Sequence, residues 1–443
     1  MKVVIMAGGK GTRISSLFHD IPKPMIKIDD RPVLEYELEC LRRQGFDDII
    51  ITVSHLGNVI MDYFGDGSKI SPVTGKPFGV KIEYFNEVVP LGNAGALYKL
   101  KDKLTGDFLL LNADAIFDID FNRFVNFHKG HGGLVSLFSH PNSHPYDSGL
   151  IIADDSHHVL SWLTKEDNRP EYYDNRVNAG LHVINPKIFD NCKYDVDSIG
   201  KAGVDGKICK VDLDRDLLKP LAGTGKMFCY DSPEYVKDMG TPERFEAVRK
   251  DFLSGVVKAR NLSNPQKAIF LDRDGTINKY VGFLRNINDF ELIPGVAEAI
   301  RKINESGYLA IVVTNQPVIA RGEVTIEQLN EIHRKMTTEL GKSGAYVDAI
   351  YYCPHHPDKG YEGEIPELKI DCDCRKPKPG MIIQASKDFN IDLSKSFMIG
   401  DSDSDVKAGE AAACKSILII RNKNHELLNM VEKVLNNVSI TEI

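Results

Sequence analysis

The chain has 443 residues, 42% of them apolar and 27% charged, enough for two or three domains with substantial cores. A net charge of −8 argues against a broad nucleic-acid surface, and no apolar run approaches the length that spans a membrane. Eight cysteines in so long a chain do not make a disulfide scaffold, and the N-terminus enters a strand-like stretch at Val3 with no basic leader, so a cytosolic (cytoplasmic) protein is expected.

In chain order, Val3 to Met6 reads as a buried strand followed by the loop Ala7-Gly8-Gly9-Lys10-Gly11-Thr12-Arg13. Leu34, Leu38 and Leu41 mark an amphipathic helix ending near Gly45, and Ile49 to Val53 is the next strand. Phe108 to Leu111 is another, running into Asp114. Strands alternating with helices at this rate predict α/β architecture, a mostly parallel sheet covered on both faces. A helix from about Pro242 to Leu253 closes this first unit. Residues 254–265 have linker composition, which gives domains at 1–253 and 266–443. The second unit repeats the pattern, with strands ending at Leu271, near Val313 and at Ile399. Asp272, Thr314 and Asp401 should then meet at one edge of its sheet.

Gly8, Gly9 and Gly11 let backbone N–H groups approach phosphate oxygens, although such a loop alone could equally be a tight turn. Arg13 and Lys23 would add cations. Asp114 and Asp238 offer two separated carboxylates for a Mg²⁺ bridging phosphates. With Leu91-Gly92-Asn93-Ala94-Gly95, Asn112-Ala113-Asp114, Asn178-Ala179-Gly180 and Asp238 to Glu243, these motifs resemble the sugar-phosphate nucleotidyltransferases. The resemblance implies a Rossmann-like, GT-A-like mixed sheet. It also implies that Arg13 and Lys23 handle the triphosphate, with Gly8, Gly9, Gly11 and Thr12 in the nucleotide loop. Asn93 and Gly95 would lie near the base, and Gly149, Lys165 and Asn178 on the sugar phosphate. Asn93 stands where Thr is more usual. The implied reaction is in-line attack of a sugar 1-phosphate on the α-phosphorus with loss of pyrophosphate. The attacking group is already an anion, so positioning and charge neutralisation supply the catalysis.

Asp272 and Asp274 end a strand in Asp-Arg-Asp-Gly-Thr. A calcium loop would need a Glu where Phe283 stands. Asp272 as nucleophile would form an aspartyl phosphate, with Asp274 as general acid and then base. Asp272, the Asp274 backbone and Asp401 would hold Mg²⁺. Thr314 and Asn315 would bind the phosphoryl oxygens, with Lys376 supplying balancing charge. With Thr314-Asn315-Gln316, Arg375-Lys376-Pro377 and Gly400-Asp401, the stretch resembles the haloacid dehalogenase-like (HAD) phosphatases, which implies a Rossmannoid domain. Asp405 could be a partner of this site or a helix N-terminal acid. Cys353, His355, Cys372 and Cys374 supply four ligands for a structural Zn²⁺ in a loop delivering Arg375 and Lys376, with His356 the alternative to His355.

That excursion resembles the heptose 1,7-bisphosphate 7-phosphatases and the histidinol-phosphate phosphatases. Removing a 7-phosphate leaves a heptose 1-phosphate, the substrate the first unit needs. Among heptose routes the guanylyl-transferring enzymes resemble residues 1–253, so the resemblance implies GTP and a GDP-heptose product. The partners expected are sugar phosphates and a nucleoside triphosphate, with no nucleic acid or membrane, and a second copy of the chain is left open. The rival readings are uridylyl, thymidylyl or adenylyl transfer fused to another phosphatase, or a sugar-nucleotide sensor with one inactive domain.

Overall fold

A computed structural model describes residues 1–9, 18, 21–191, 194–203 and 206–437. Gly11, Thr12 and Arg13 lie outside the described residues. The chain forms two compact units. One comprises residues 1–139, 151–162 and 178–258; the other comprises 140–150, 163–177 and 259–443.

In the first unit, strands Val159–Leu163, Leu150–Ala153, Val177–Ile184, Phe108–Asn112, Lys2–Met6, Asp48–Val53 and Lys81–Asn86 lie side by side in that order. The last four are parallel, while Val177–Ile184 runs antiparallel to Phe108–Asn112, so the sheet is mixed. Alternation decides the layers. Val3, Ile5, Ile49, Ile51, Leu109 and Leu111 enter one core, and Val4, Ile50, Phe108 and Leu110 the other. Both faces are covered, as a parallel sheet requires. The amphipathic helix spans Val33–Arg43, with Arg42 and Arg43 in its last turn, where the helix dipole favours cations.

The second unit holds five parallel strands in the order Ala349–Cys353, Tyr308–Asn315, Lys267–Leu271, Phe397–Gly400 and Lys415–Leu418. Its central strands again feed two cores, Ile269 and Leu271 on one face, Ala268 and Phe270 on the other. Asp272, Thr314 and Asp401 do sit at the same edge, just at or past the ends of three adjacent strands. The stretch 254–265 carries a short helix, Val256–Ala259, whose Val256 and Val257 join a core of the first unit. Arg260 beyond it is buried and pairs with Asp348 at 2.7 Å in the second. No helix among the described residues is long and apolar enough to cross a membrane.

Candidate active sites

The first cleft is a cavity of about 550 Å³ lined among others by Gly8, Gly9, Lys23, Glu87, Asn93 and Asp114. Register explains the gathering. Met6 lies opposite Thr52 on one side and Asn112 on the other, so the chain leaves three parallel strands at one level. Ser54 Oγ donates to the Gly8 carbonyl at 2.6 Å and fixes the start of the loop. A Cβ on Gly8 would come within 3.2 Å of Glu87 Oε1, so the glycine leaves room for that carboxylate.

Lys23 Nζ contacts Asp114 Oδ2 at 3.0 Å. The short strand Val236–Asp238 pairs with Ala115–Phe117, placing Asp238 opposite Ala115, and Met239 N–H donates to the Asp114 carbonyl at 3.0 Å. The two acids are thus brought together by backbone pairing across a long sequence separation. Two carboxylates are donors of the kind a hard divalent cation takes, although Asp114 is engaged by Lys23 at 3.0 Å and Asp238 by Arg244 at 2.9 Å.

Asn93 Oδ1 accepts from the Leu213 N–H at 2.6 Å, so its side-chain carbonyl is committed to the protein. Gly95 opens the helix Gly95–Leu100, and its missing side chain lets Leu91 and Ile199 pack close. Gly95, Gly149, Lys165 and Asn178 are not among the residues lining this cavity. Asn178 Oδ1 accepts from Gly180 N–H at 3.2 Å, holding a tight strand turn.

Sequence reasoning missed Glu87 and Lys210, which line the cavity, and Glu37. Glu37 is fully buried and neither carboxylate oxygen has a hydrogen-bond partner among the described residues. Burial, then the negative charge of Asp114, pushes its carboxyl well above the usual range. Its spacing from Val33, Leu34 and Leu41 puts it on the inner face of the helix, a signal present in the sequence.

The second cleft is more tightly wired. Asp272 N–H donates to the Ile399 carbonyl at 3.0 Å, fixing the turn after the strand. Buried Lys376 reaches Asp272 Oδ1 and Asp405 Oδ1 at 2.6 Å each, and donates to the Val313 carbonyl at 2.8 Å. Burial raises the proton affinity of Asp272 against the pull of Lys376. Burial alone would depress the lysine, but Asp272 and Asp405 outweigh it and hold Lys376 charged.

Asp274 is gripped by its neighbour. Arg273, wholly buried, contacts Asp274 Oδ2 at 2.7 Å, while Gln316 Nε2 donates to Oδ2 at 2.9 Å and Asn278 Nδ2 to Oδ1 at 3.0 Å. Burial pushes this carboxyl up, but Arg273 and the two amides overcome it, and the net shift is downward. A negative charge brought beside it would raise its proton affinity.

Thr314 is buried and its Oγ1 accepts from Gln316 Nε2 at 2.9 Å. Asn315 faces the backbone of Lys376: Oδ1 accepts from its N–H and Nδ2 donates to its carbonyl, both at 3.0 Å. Its side chain therefore holds the lysine loop, where sequence reasoning had it donating to phosphate. Arg375 Nη1 donates to the His355 carbonyl at 3.3 Å.

Carboxylate oxygens of Asp272, Asp401 and Asp405 lie within 4.8 Å of one another and fit a hard divalent cation. Asp401 also pairs with Arg421. Gly275 has φ +95°, and a Cβ there would collide with Asp401 Oδ2. Asp405 plays both roles left open: it caps the helix Asp403–Ala411 with Ser402 and pairs with Lys376. Arg273, Gln316 and Asn278 were missed as site residues. A large cation between two acids after an apolar strand was the available sign.

Beside this cleft, Cys353, His355, Cys372 and Cys374 place their ligand atoms within 4.8 Å of one another. The sulfur separations are 3.1 to 3.5 Å, and His355 Nδ1 lies 3.3 Å from Cys374 Sγ. These are edge lengths of a small tetrahedron, so the donor set fits a closed Cys₃His metal centre. His356 turns away, its Nδ1 accepting from the Asp358 N–H at 3.2 Å.

Comparison with known proteins matches families to both halves of the chain. The nucleotidyl transferase family matches residues 2–254, and the HAD-hydrolase-like family matches 373–435. The D-glycero-beta-D-manno-heptose-1,7-bisphosphate 7-phosphatase of Pasteurella multocida is 45% identical over 157 residues, 35% of this chain and 82% of that protein. Its Salmonella typhi counterpart is 42% identical over 175 residues, 39% of this chain and 91% of its own length. The crystal structure of HddC from Yersinia pseudotuberculosis is 25% identical, covering 57% of this chain and 99% of that one with a TM-score of 0.46. The chain therefore belongs to the nucleotidyl transferase family through residues 2–254 and also to the family of these phosphatases, and is a bifunctional nucleotidyltransferase and phosphatase.

Proposed function

We propose that the protein removes the 7-phosphate of D-glycero-D-manno-heptose 1,7-bisphosphate and transfers GMP from GTP to the resulting heptose 1-phosphate, giving GDP-heptose and pyrophosphate. One observation carries this reading. A phosphatase whose relatives are named for a sugar 1,7-bisphosphate shares its chain with a transferase of the class that consumes sugar 1-phosphates. The transferase is assigned to residues 1–253 and the phosphatase to 266–443, with 254–265 between, and the cytoplasm is the compartment that supplies the triphosphate.

In the phosphatase, Asp272 attacks phosphorus and forms an aspartyl phosphate as the sugar oxygen leaves. Asp274 gives that oxygen its proton and then takes one from the water that hydrolyses the intermediate. Lys376 balances the charge of nucleophile and phosphoryl group, and Asn315 keeps it in place. Mg²⁺ at Asp272, Asp401 and Asp405 would offset repulsion between anionic nucleophile and anionic substrate, as Mg²⁺ at Asp114 and Asp238 would between two phosphates. Zn²⁺ on Cys353, His355, Cys372 and Cys374 would be structural, since four protein ligands leave no open position.

In the transferase, Gly8, Gly9 and Lys23 receive the triphosphate, with Lys210 a further cation at the cavity wall. Arg13 belongs to the same role by family likeness. Glu87 supports the choice of guanine. The Watson–Crick edge of guanine offers two adjacent donors, which a single carboxylate can accept together, whereas uracil and thymine offer one. Replacing it, Glu87→Gln, should narrow the preference for GTP over UTP by about 10- to 100-fold, the size of a lost paired contact to a base edge.

The deciding experiment supplies the heptose bisphosphate, Mg²⁺ and each of the four nucleoside triphosphates separately. The expected outcome is one phosphate, one pyrophosphate and a GDP-heptose identified by mass. Phosphate release without any nucleotide sugar, or faster turnover with another base, would overturn the assignment.

A further inference from the structure

Away from both clefts, the first unit carries a second collection of metal-binding groups. A ring nitrogen of His157, Cys229 Sγ and a carboxylate oxygen of Asp231 all lie within 4.8 Å of one another. We propose that these three side chains form a binding site for a borderline-soft divalent ion, Zn²⁺ being the fitting one, with solvent in the fourth position.

The site is built from two pieces that the fold already holds together. The turn Asp154 to His158 joins two strands of the mixed sheet, and the strand Met227–Asp231 brings Cys229 and Asp231, two residues apart, to the same side. The backbone bond from Cys229 N–H to the His157 carbonyl, 2.9 Å, locks turn to strand without any metal. The turn itself is rigid. Asp154 Oδ1 accepts from the N–H groups of Ser156 and His158 at 2.9 Å each, and the Asp154 carbonyl accepts from His157 N–H at 3.0 Å. His157 sits at φ +65°, a left-handed conformation that costs a residue with a side chain of this size and directs the backbone through the turn.

The donor atoms already have protein partners that an ion would share or replace, Cys229 Sγ donating to the His157 carbonyl at 3.7 Å, while the neighbouring histidines are held elsewhere. His158 Nδ1 is on Asp154 at 3.1 Å, and the rings of His131 and His158 pack on Phe228. His131 Nε2 and His128 Nδ1 are both on Ser136 Oγ. Ser139 Oγ donates to Asp231 Oδ1 at 2.6 Å, which turns Oδ2 toward His157 Nδ1 at 3.8 Å. An outer hydrogen bond that orients a ligating carboxylate is the usual support of a metal site. Cys229 is fully buried while His157 and Asp231 are 46% and 36% exposed at the side chain, so an ion would enter from solvent and seat on a buried sulfur.

The chemistry of the donors selects the ion. A thiolate and a neutral imidazole are poor ligands for Mg²⁺ or Ca²⁺, and one carboxylate is too few for either. One sulfur, one nitrogen and one oxygen suit tetrahedral Zn²⁺ or Co²⁺. Binding converts the Cys229 S–H to a metal-bound thiolate and releases one proton to solvent, so affinity should rise with pH. A bound ion would cross-link turn and strand and stabilise the first unit by mass action.

The test uses the full-length protein, stripped of metal and kept in excess Mg²⁺ to fill the carboxylate sites, and then titrated with Zn²⁺ or Co²⁺. His157→Gly is the probing variant, because glycine accepts the left-handed backbone and the imidazole is half exposed. Wild type should retain one more Zn²⁺ per chain than H157G after gel filtration. The Co²⁺ form should lose one set of thiolate-to-metal absorption bands in H157G, and a Cys229→Ser variant should lose the same set. The affinity of this one equivalent should fall by about 100-fold or more. Equal metal content and equal spectra in wild type and H157G would overturn the proposal, and the Cys353 cluster contributes identically to both proteins.

Discussion

The two clefts handle the same chemical group with different degrees of readiness. In the phosphatase cleft the Lys376 side chain is 3% exposed and holds Asp272 and Asp405, themselves 10% and 1% exposed, at 2.6 Å. In the transferase cleft Lys23 meets Asp114 at 3.0 Å, with the carboxylate 37% exposed. The first arrangement has excluded water before any substrate arrives, so its charges interact at low dielectric. The second keeps its acid solvated and leaves room for a large nucleotide. A hydrolase that moves one phosphoryl group can be pre-assembled, whereas a transferase that admits two substrates leaves part of its site for them to complete.

Substitutions can sharpen or break that contrast. The largest effect is expected for Asp272→Asn, which removes the proposed nucleophile. Phosphate release from the bisphosphate should fall by about 10⁴-fold or more, while nucleotidyl transfer to a supplied sugar 1-phosphate stays within about twofold, because the clefts belong to separate units. Comparable loss of both activities would mean the units are not independent.

Next in size, Lys376→Met should leave Asp272 and Asp405 as unpaired buried acids and destabilise the second unit by about 3–5 kcal/mol. Denaturant unfolding should show the transition of that unit moving alone. A shift under 1 kcal/mol (about the value of an exposed pair) would show that the cleft is wetter than its burial indicates.

Lys23→Ala should lower nucleotidyl transfer by about 10²–10³-fold, the usual cost of removing one charge that stabilises a developing oxyanion. Phosphatase turnover should not change. A change in KM without a change in kcat would assign Lys23 to ground-state binding alone.

The smallest effect concerns Glu37. Its folded-state proton affinity is raised by burial, so the unfolded chain releases the proton first as pH climbs past the ordinary glutamate value of 4.5. The unfolded state then binds fewer protons than the folded one, and stability falls with rising pH across that window. Glu37→Met removes both orphaned oxygens and should stabilise the first unit by about 1–3 kcal/mol at pH 7. The gain should shrink towards pH 4. A loss of transferase activity in this variant would instead give the buried acid a part in holding Asp114.

The strands, the order of the two halves and most of the side chains that the second cleft gathers were legible because the signals are local. An apolar run ending in an acid at Leu271-Asp272 needs no knowledge of the fold, and the paired Cys and His spacing after Cys353 needs little more. What escaped depends on long-range pairing. Asp114 and Asp238 were paired in the sequence reading, but the strand pairing of Val236–Asp238 with Ala115–Phe117 that brings them together was not. The role of Asn315 depended on where a loop more than sixty residues later would pass. Arg273 was hidden differently. As the middle residue of Asp-Arg-Asp it reads as solvated, and only the depth of the cleft turns it inward. Glu37 was legible from helical spacing and was passed over.

The buried pair between Arg260 and Asp348 has a practical consequence. Asp348 is fully buried and also accepts the Ala310 N–H at 2.7 Å, while Arg260 donates to the Tyr308 carbonyl at 2.8 Å. A phosphatase fragment begun at residue 266, just before the strand Lys267–Leu271, would leave the Asp348 side chain with no counter-charge, at a cost of about 3–5 kcal/mol. Begun at 259, it would keep its own arginine. Seven residues that look like a tether in the sequence carry the counter-charge of an enclosed acid.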